Sequence, residues 1–289
     1  MDMEVIMAFF GILFAILFFF LLRYTAILCV YIGYIVGAFV RYVVFSISLR
    51  FNPKMRRLQH VMPRLLHQYS PYYQSLNYKE QKRFQKRIIR FISLKRFYRF
   101  DKSEATDEMK ILIASAAVQM TFGYPKMFEF EVFDKIAVSD KEYVSQQTKN
   151  VHEGEANPGK SLLAFSWKRF MEGVKNPYDC INLGLHEFAH ALFLCNFSGY
   201  LTPDFKEMIH KWHAEVAKIA QEPAAHNFFR HYAFENKMEF FAVAMEYFFE
   251  NPKAFHSHFP QLYEVMCRLL NQNPLLPNNG IVRKWYEQL

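Results

Sequence analysis

Residues 181–193 read INLGLHEFAHALF, with His186 and His190 four apart and Glu187 directly after the first histidine. On a helix, residues four apart share one face. Both imidazoles can therefore aim at one metal ion. Glu187 sits one step round and can reach a metal-bound water without ligating the metal. Two ligands and a general base on one rigid element are what a metal-dependent hydrolase needs. Leu185, Phe188, Ala189, Leu192 and Phe193 surround them, so the helix is expected to be buried, where unpartnered histidine and glutamate are costly. The competing reading is a pair of core histidines bonded to backbone, and a third ligand decides between the two.

Catalytic zinc takes three protein ligands and keeps one position open. The extended pattern HExxHxxGxxH is absent, because Phe193 and Asn196 occupy its later positions. The other source of a third ligand is a carboxylate on a later helix. The stretch HYAFENKMEFFAVAMEYFFENP, 231–252, is the best host. Glu239 lies there among Met238, Phe240, Phe241 and Val243, and a carboxylate in such surroundings needs a partner. Zn²⁺ would be one. Glu246, two turns further along the same face, is the rival, with a supporting hydrogen bond or a salt bridge as its alternative role. Tyr232, two turns before Glu239, can donate to the oxyanion of a tetrahedral intermediate, and the adjacent His231 can do so from another angle. His210 and His213 in HKWH read as a solvated helix face.

These residues need elements to position them. DEMKILIASAAVQMTF (107–122) is apolar at helical spacing, and Phe84, Ile88, Phe91 and Ile92 form one stripe of a basic helix over 78–97. MFEFEVFDKIAV (127–138) alternates like a half-buried strand, and SLLAFSW (161–167) reads as another. The strand around Leu162–Trp167 can hold a substrate backbone by strand addition. HEGEANPGK (152–160) reads as a loop, and 203–289 as helices broken by prolines. The class is α+β.

The chain has 289 residues and a net charge of +8. Residues 5–22 carry no charge, which is about the length that crosses a bilayer core of roughly 30 Å. A second apolar run, 24–40, follows the single charge of Arg23. This reads either as two spans or as one span and an interfacial helix. The acidic leader MDMEV argues against a cleaved signal peptide. Residues 41–102 hold 16 Lys/Arg against 2 Asp/Glu, a flank that stays in the cytoplasm on insertion and suits anionic lipid. The expected location is the cytoplasmic (inner) membrane, with the catalytic domain facing the cytoplasm. No nucleic-acid recognition module is visible, so nucleic acid is not an expected partner. The four cysteines show no paired spacing and read as thiols of a reducing compartment. Gly33 and Gly37 form a GxxxG pair that can seat a homodimer. The expected organisation is an anchor at 1–50, a basic juxtamembrane helical region at 51–106 and a peptidase domain at 107–289.

Two blocks, LLAFSWKRFMEGVKNPYDCINLGLHEFAHAL (162–192) and YAFENKMEFFAVAMEYFFENPKAF (232–255), resemble the MtfA-like zinc peptidases, named after the Mlc titration factor. The first carries Ser-Trp, a Gly-x-x-x-Pro-x-Asp turn and Asn182 before HEFAH. The second carries Tyr-x6-Glu-x-Phe-Ala-Val and Glu-Tyr-Phe-Phe. The resemblance implies a zincin-like (gluzincin) fold akin to the anthrax lethal factor catalytic domain. It assigns His186, His190 and Glu239 as zinc ligands, Glu187 as base and Tyr232 as oxyanion stabiliser. Where the family continues HEFAH with Lys-Leu-Asp, this chain has Ala-Leu-Phe. The expectation is a membrane-anchored zinc metallopeptidase that hydrolyses peptide bonds by Glu187-assisted attack of a zinc-bound water. The alternative is a regulatory binding protein that sequesters a transcriptional regulator with a peptidase-like fold.

Overall fold

Four short strands form the sheet that carries the site. β1 (Arg96–Arg99), β2 (Lys135–Ser139) and β6 (Leu162–Ser166) run parallel, and β5 (Gly154–Asn157) closes the sheet antiparallel to β6, in the order β1-β2-β6-β5. β3 (Tyr143–Val144) and β4 (Val151–His152) make a separate antiparallel pair. The computed structural model describes residues 52–144, 151–195 and 203–280, and part of 7–40. The chain divides into two units, Met1–Arg57 and Leu58–Leu289.

In the first unit the described residues between 7 and 40 are helical, and their longest continuous run is 17–25. Among the described residues no helix is long and apolar enough to cross a membrane. The expected spans and the location at the cytoplasmic membrane are therefore corrected. Gly33 is described, and a Cβ there would meet nothing within 4 Å; Gly37 lies outside the described residues.

The helices are α1 (Pro53–Tyr69), α2 (Pro71–Ser75), α3 (Tyr78–Leu94), α4 (Asp107–Thr121), α5 (Trp167–Lys175), α6 (Leu183–Cys195), α7 (Pro203–Ile219), α8 (Pro223–Phe228), α9 (Lys237–Glu250), α10 (Pro252–His258) and α11 (Pro260–Leu270). Several begin at side-chain caps. Asn77, Thr106 and Ser166 each accept an N–H from the first turn, so orphan donors are met. The predicted stripe Phe84, Ile88, Phe91 and Ile92 is buried. The basic helix ends at Leu94, and the chain turns into β1 where a helix to 97 was expected.

The strand expected over 127–138 is confined to Lys135–Ser139. Phe130 adopts φ 49°, which breaks an extended run. Phe128, Phe130 and Phe133 instead fold inward and are buried. The expected loop 152–160 holds the edge strand β5 and a 3₁₀ turn at Pro158–Lys160.

α6 is buried from Gly184 to Phe193, and α9 from Glu239 to Glu246. Phe188, about 200° round α6 from His186, faces away from the histidines. Its ring centroid lies 5.8 Å from Phe91, 5.3 Å from Phe130 and 5.7 Å from Phe165. This aromatic cluster ties α6 to α3 and the sheet. On the far end, Phe193 and Trp212 pack on Phe241 of α9, at 5.5 and 5.1 Å.

Arg87 joins α3 to the end of α4. Its Nη1 donates to the carbonyls of Thr121 (3.2 Å) and Phe122 (3.0 Å), and its Nη2 to those of Tyr124 (2.6 Å) and Pro125 (3.1 Å). Arg87→Met removes four hydrogen bonds from a charged donor, each worth about 1.5–3 kcal/mol, although Arg83 still donates to Phe122 O and the Tyr124 amide to Thr121 O. The variant is expected to lose at least about 2 kcal/mol of stability, read by urea unfolding.

Candidate active site

α6 and α9 lie side by side, and their polar residues meet at one point. His186 Nε2 is 3.0 Å from His190 Nε2 and 3.1 Å from Glu239 Oε2, and His190 Nε2 is 3.3 Å from the same oxygen. Among the described residues these three form the group able to hold a metal ion. All three are buried. A tetrahedral shell with bonds of about 2.0–2.1 Å places its ligand atoms roughly 3.3 Å apart, close to these separations.

The electrostatics agree with the geometry. Burial alone raises the Glu239 carboxyl, but hydrogen bonds to His186 and His190 outweigh it and hold the group well below the usual carboxylate range. Burial alone would lower His186, but the carboxylates of Glu239 and Glu246 outweigh it and hold the ring above its ordinary range. The carboxylates of Glu239 and Glu246 thus favour positive charge at His186. Two imidazole nitrogens and a carboxylate are a donor set suited to Zn²⁺.

Glu239 reaches this point because α9 starts at Asn236, whose Oδ1 accepts from Met238 N (2.9 Å) and Glu239 N (3.0 Å). Glu246 sits two turns on and is 1 % exposed, so its polar atoms must be met internally. Its Oε2 faces His186 Nδ1 at 3.3 Å and accepts from Arg230, and its Oε1 accepts from Asn182 N at 2.7 Å. Glu246, the rival of Glu239 in the sequence, thus stands against the other ring nitrogen of His186. It holds the ring that Glu239 meets from the front.

Glu187 is buried, and its Oε2 has no hydrogen-bond partner among the described residues. Burial holds its carboxyl above the ordinary range, against the pull of His190 and His186. Gly154 of β5 lies directly against this carboxylate, so closely that a Cβ there would overlap Oε1. Tyr232 stands on the 3₁₀ turn His231–Phe234 with its ring centroid 5.9 Å from that of His186. It is 44 % exposed, which places it at the rim. His231 is exposed on the same turn. β6, expected to receive a peptide backbone, is paired on both sides, and the edges of the sheet are β1 and β5, of which β5 carries Gly154.

Residues 50–270 match the glucose-regulated metallo-peptidase M90 family. The chain belongs to that family. Among its relatives, the uncharacterized protein slr2042 of Synechocystis sp. is 25 % identical over 224 residues, 71 % of this chain and 82 % of that protein. Mlc titration factor A of Escherichia fergusonii is 33 % identical over 123 residues, 37 % of this chain and 46 % of that one. Mlc titration factor A of Yersinia pestis is 28 % identical over 159 residues, 48 % of this chain and 55 % of that one. The chain thus spans about half the length of the Mlc titration factor relatives that it matches. Membership of a metallo-peptidase family implies a metal, and the described residues include a His-His-Glu group able to hold one.

The M90 site also includes residues that sequence reasoning missed. Arg230 carries no motif, and its role appears only where it meets Glu246. Gly154 sat in a stretch read as loop, and a glycine before a short polar segment was its only signal.

Two outcomes are expected from metal analysis of the full chain. Glu239→Ala abolishes stoichiometric metal. Glu246→Ala keeps the three donors but loosens His186, weakening metal affinity about 10–100-fold in competition with a chromophoric chelator.

Proposed function

We propose that this M90 protein is a zinc-dependent peptidase that hydrolyses peptide bonds in a peptide or protein substrate. The observation that carries the reading is the convergence of His186, His190 and Glu239 beside a buried, unpartnered Glu187 oxygen. Zn²⁺ held there polarises the scissile carbonyl and acidifies water.

The chain's own groups do the rest. Glu187 takes a proton from the attacking water and returns it to the leaving amine nitrogen. Its raised affinity for a proton suits the first half of that transfer. Tyr232 donates its hydroxyl hydrogen to the developing oxyanion. Burial, Glu239 and Glu235 all push this phenol above its ordinary range, so it stays a donor. Glu246 and Arg230 keep the His186 ring in register. β5 supports substrate binding: its outer edge offers backbone groups to an extended peptide, and Gly154 brings that edge against Glu187.

A second reading, a protein that binds a regulator, is favoured by one finding. Relatives over part of the chain bear the name Mlc titration factor A. One variant separates the two. Glu187→Gln is expected to retain metal and to lose about 10²–10⁴-fold in kcat, measured on quenched peptides with metal-loaded full chain. Full activity in that variant overturns the mechanism, and a cellular phenotype that survives the loss of activity favours regulator binding. Tyr232→Phe is expected to lower kcat by about 10²–10³-fold with little change in KM. Gly154→Val is expected to block hydrolysis while metal content is unchanged, because its side chain overlaps the Glu187 carboxylate.

A further inference from the structure

Behind α6, on the side away from the metal ligands, lies a cavity of about 190 Å³. Its polar wall includes Glu250 at the end of α9, with Asn182 beside it. Its apolar wall includes Tyr72, Phe170 and Phe249. Tyr178, which also lines it, is 72 % exposed, so the cavity opens to solvent there.

Glu250 is 8 % exposed. Its Oε2 accepts from Cys180 N at 3.0 Å and its Oε1 from Asn182 Nδ2 at 2.8 Å. These are neutral donors, and among the described residues no lysine, arginine or histidine forms an ion pair with it. Burial pushes the carboxyl up to about 8, against the Asn182 hydrogen bond and with help from Glu246. A carboxyl held that high is mostly protonated at neutral pH, and a cationic ligand in the cavity draws it to the carboxylate and pairs with it. The aromatic side chains in the same lining add attraction wherever a cation meets a ring face.

We infer that this cavity is a binding site for a small organic ammonium ion, with the ammonium group on Glu250 and an apolar body against the aromatic wall. The size fits, since an apolar cavity of about 150 Å³ holds one benzene ring. The site is also wired to the catalytic helix. Asn182 Oδ1 accepts from Leu185 N at 3.0 Å, and its carbonyl accepts from His186 N at 2.9 Å. Cys180 is held with φ 60° where Glu250 bonds it. The inference does not depend on peptidase activity.

The test is ¹⁹F NMR titration of the metal-loaded full chain with 4-fluorobenzylamine and with 4-fluorobenzyl alcohol. The amine is expected to bind saturably and at least tenfold more tightly than the alcohol. Glu250→Gln is expected to remove that preference. Ser115→Leu fills the cavity from α4 without touching the carboxylate and is expected to remove amine binding. It decides the matter should Glu250→Gln fail to fold. Nα-acetyl-lysine amide distinguishes the sources: displacement of the probe assigns the site to a polypeptide lysine, and failure to displace assigns it to a free amine. No saturable amine binding, equal binding of amine and alcohol, or amine binding unchanged in Ser115→Leu overturns the inference.

Discussion

A helix buried on every face can carry two histidines and a glutamate only if other segments meet their polar atoms. That constraint organises this protein. α6 is enclosed by α4, α5, α9 and the sheet, so His186, His190 and Glu187 are left with little solvent contact. α9 supplies the answer for the histidines with two carboxylates one heptad apart. Glu239 faces the Nε2 atoms from the front, and Glu246 holds His186 Nδ1 from behind. The second carboxylate is then balanced by Arg230 and the Asn182 amide. Removing any one member leaves a buried charge or donor exposed to nothing, and such groups are expensive to leave unmet.

Glu187 is the exception, and that exception is informative. One of its oxygens is buried without a partner, although the fold satisfies its neighbours closely. Gly154 permits this by bringing the β5 backbone against the carboxylate where any side chain would intrude. The same approach sets an edge strand beside the point shared by the three donors. A buried carboxylate with spare capacity and a strand edge beside it thus arise from one contact.

α9 faces two ways. Its first turn provides Glu239 to the His186–His190 pair, and its last residue provides Glu250 to the cavity behind α6. The segment Cys180–Asn182 connects them, bonded to Glu250 and Glu246 at once and capping α6. Occupancy of the cavity and the position of His186 therefore share one short piece of backbone.

Much of the site was legible in the sequence because its logic is local. Four-residue spacing puts His186 and His190 on one helix face whatever surrounds them. An acid among phenylalanines announces that Glu239 needs a partner, and the apolar stripe of α3 follows from helical period alone. The same local reasoning misplaced the strand over 127–134, where Phe130 turns the chain inward, and hid β5 inside a stretch of turn residues. It also chose membrane spans for an apolar N-terminal run, where no helix among the described residues reaches the required length. Which carboxylate of α9 fronts the histidines and which stands behind them was undecided by spacing, because both lie on one face. Only the docking angle of α9 on α6 separates Glu239 from Glu246. Arg230, Gly154 and Glu250 acquire their roles from segments far away in the chain. Periodicity sets which residues share a face, but the approach of two faces depends on packing volumes that no local pattern encodes.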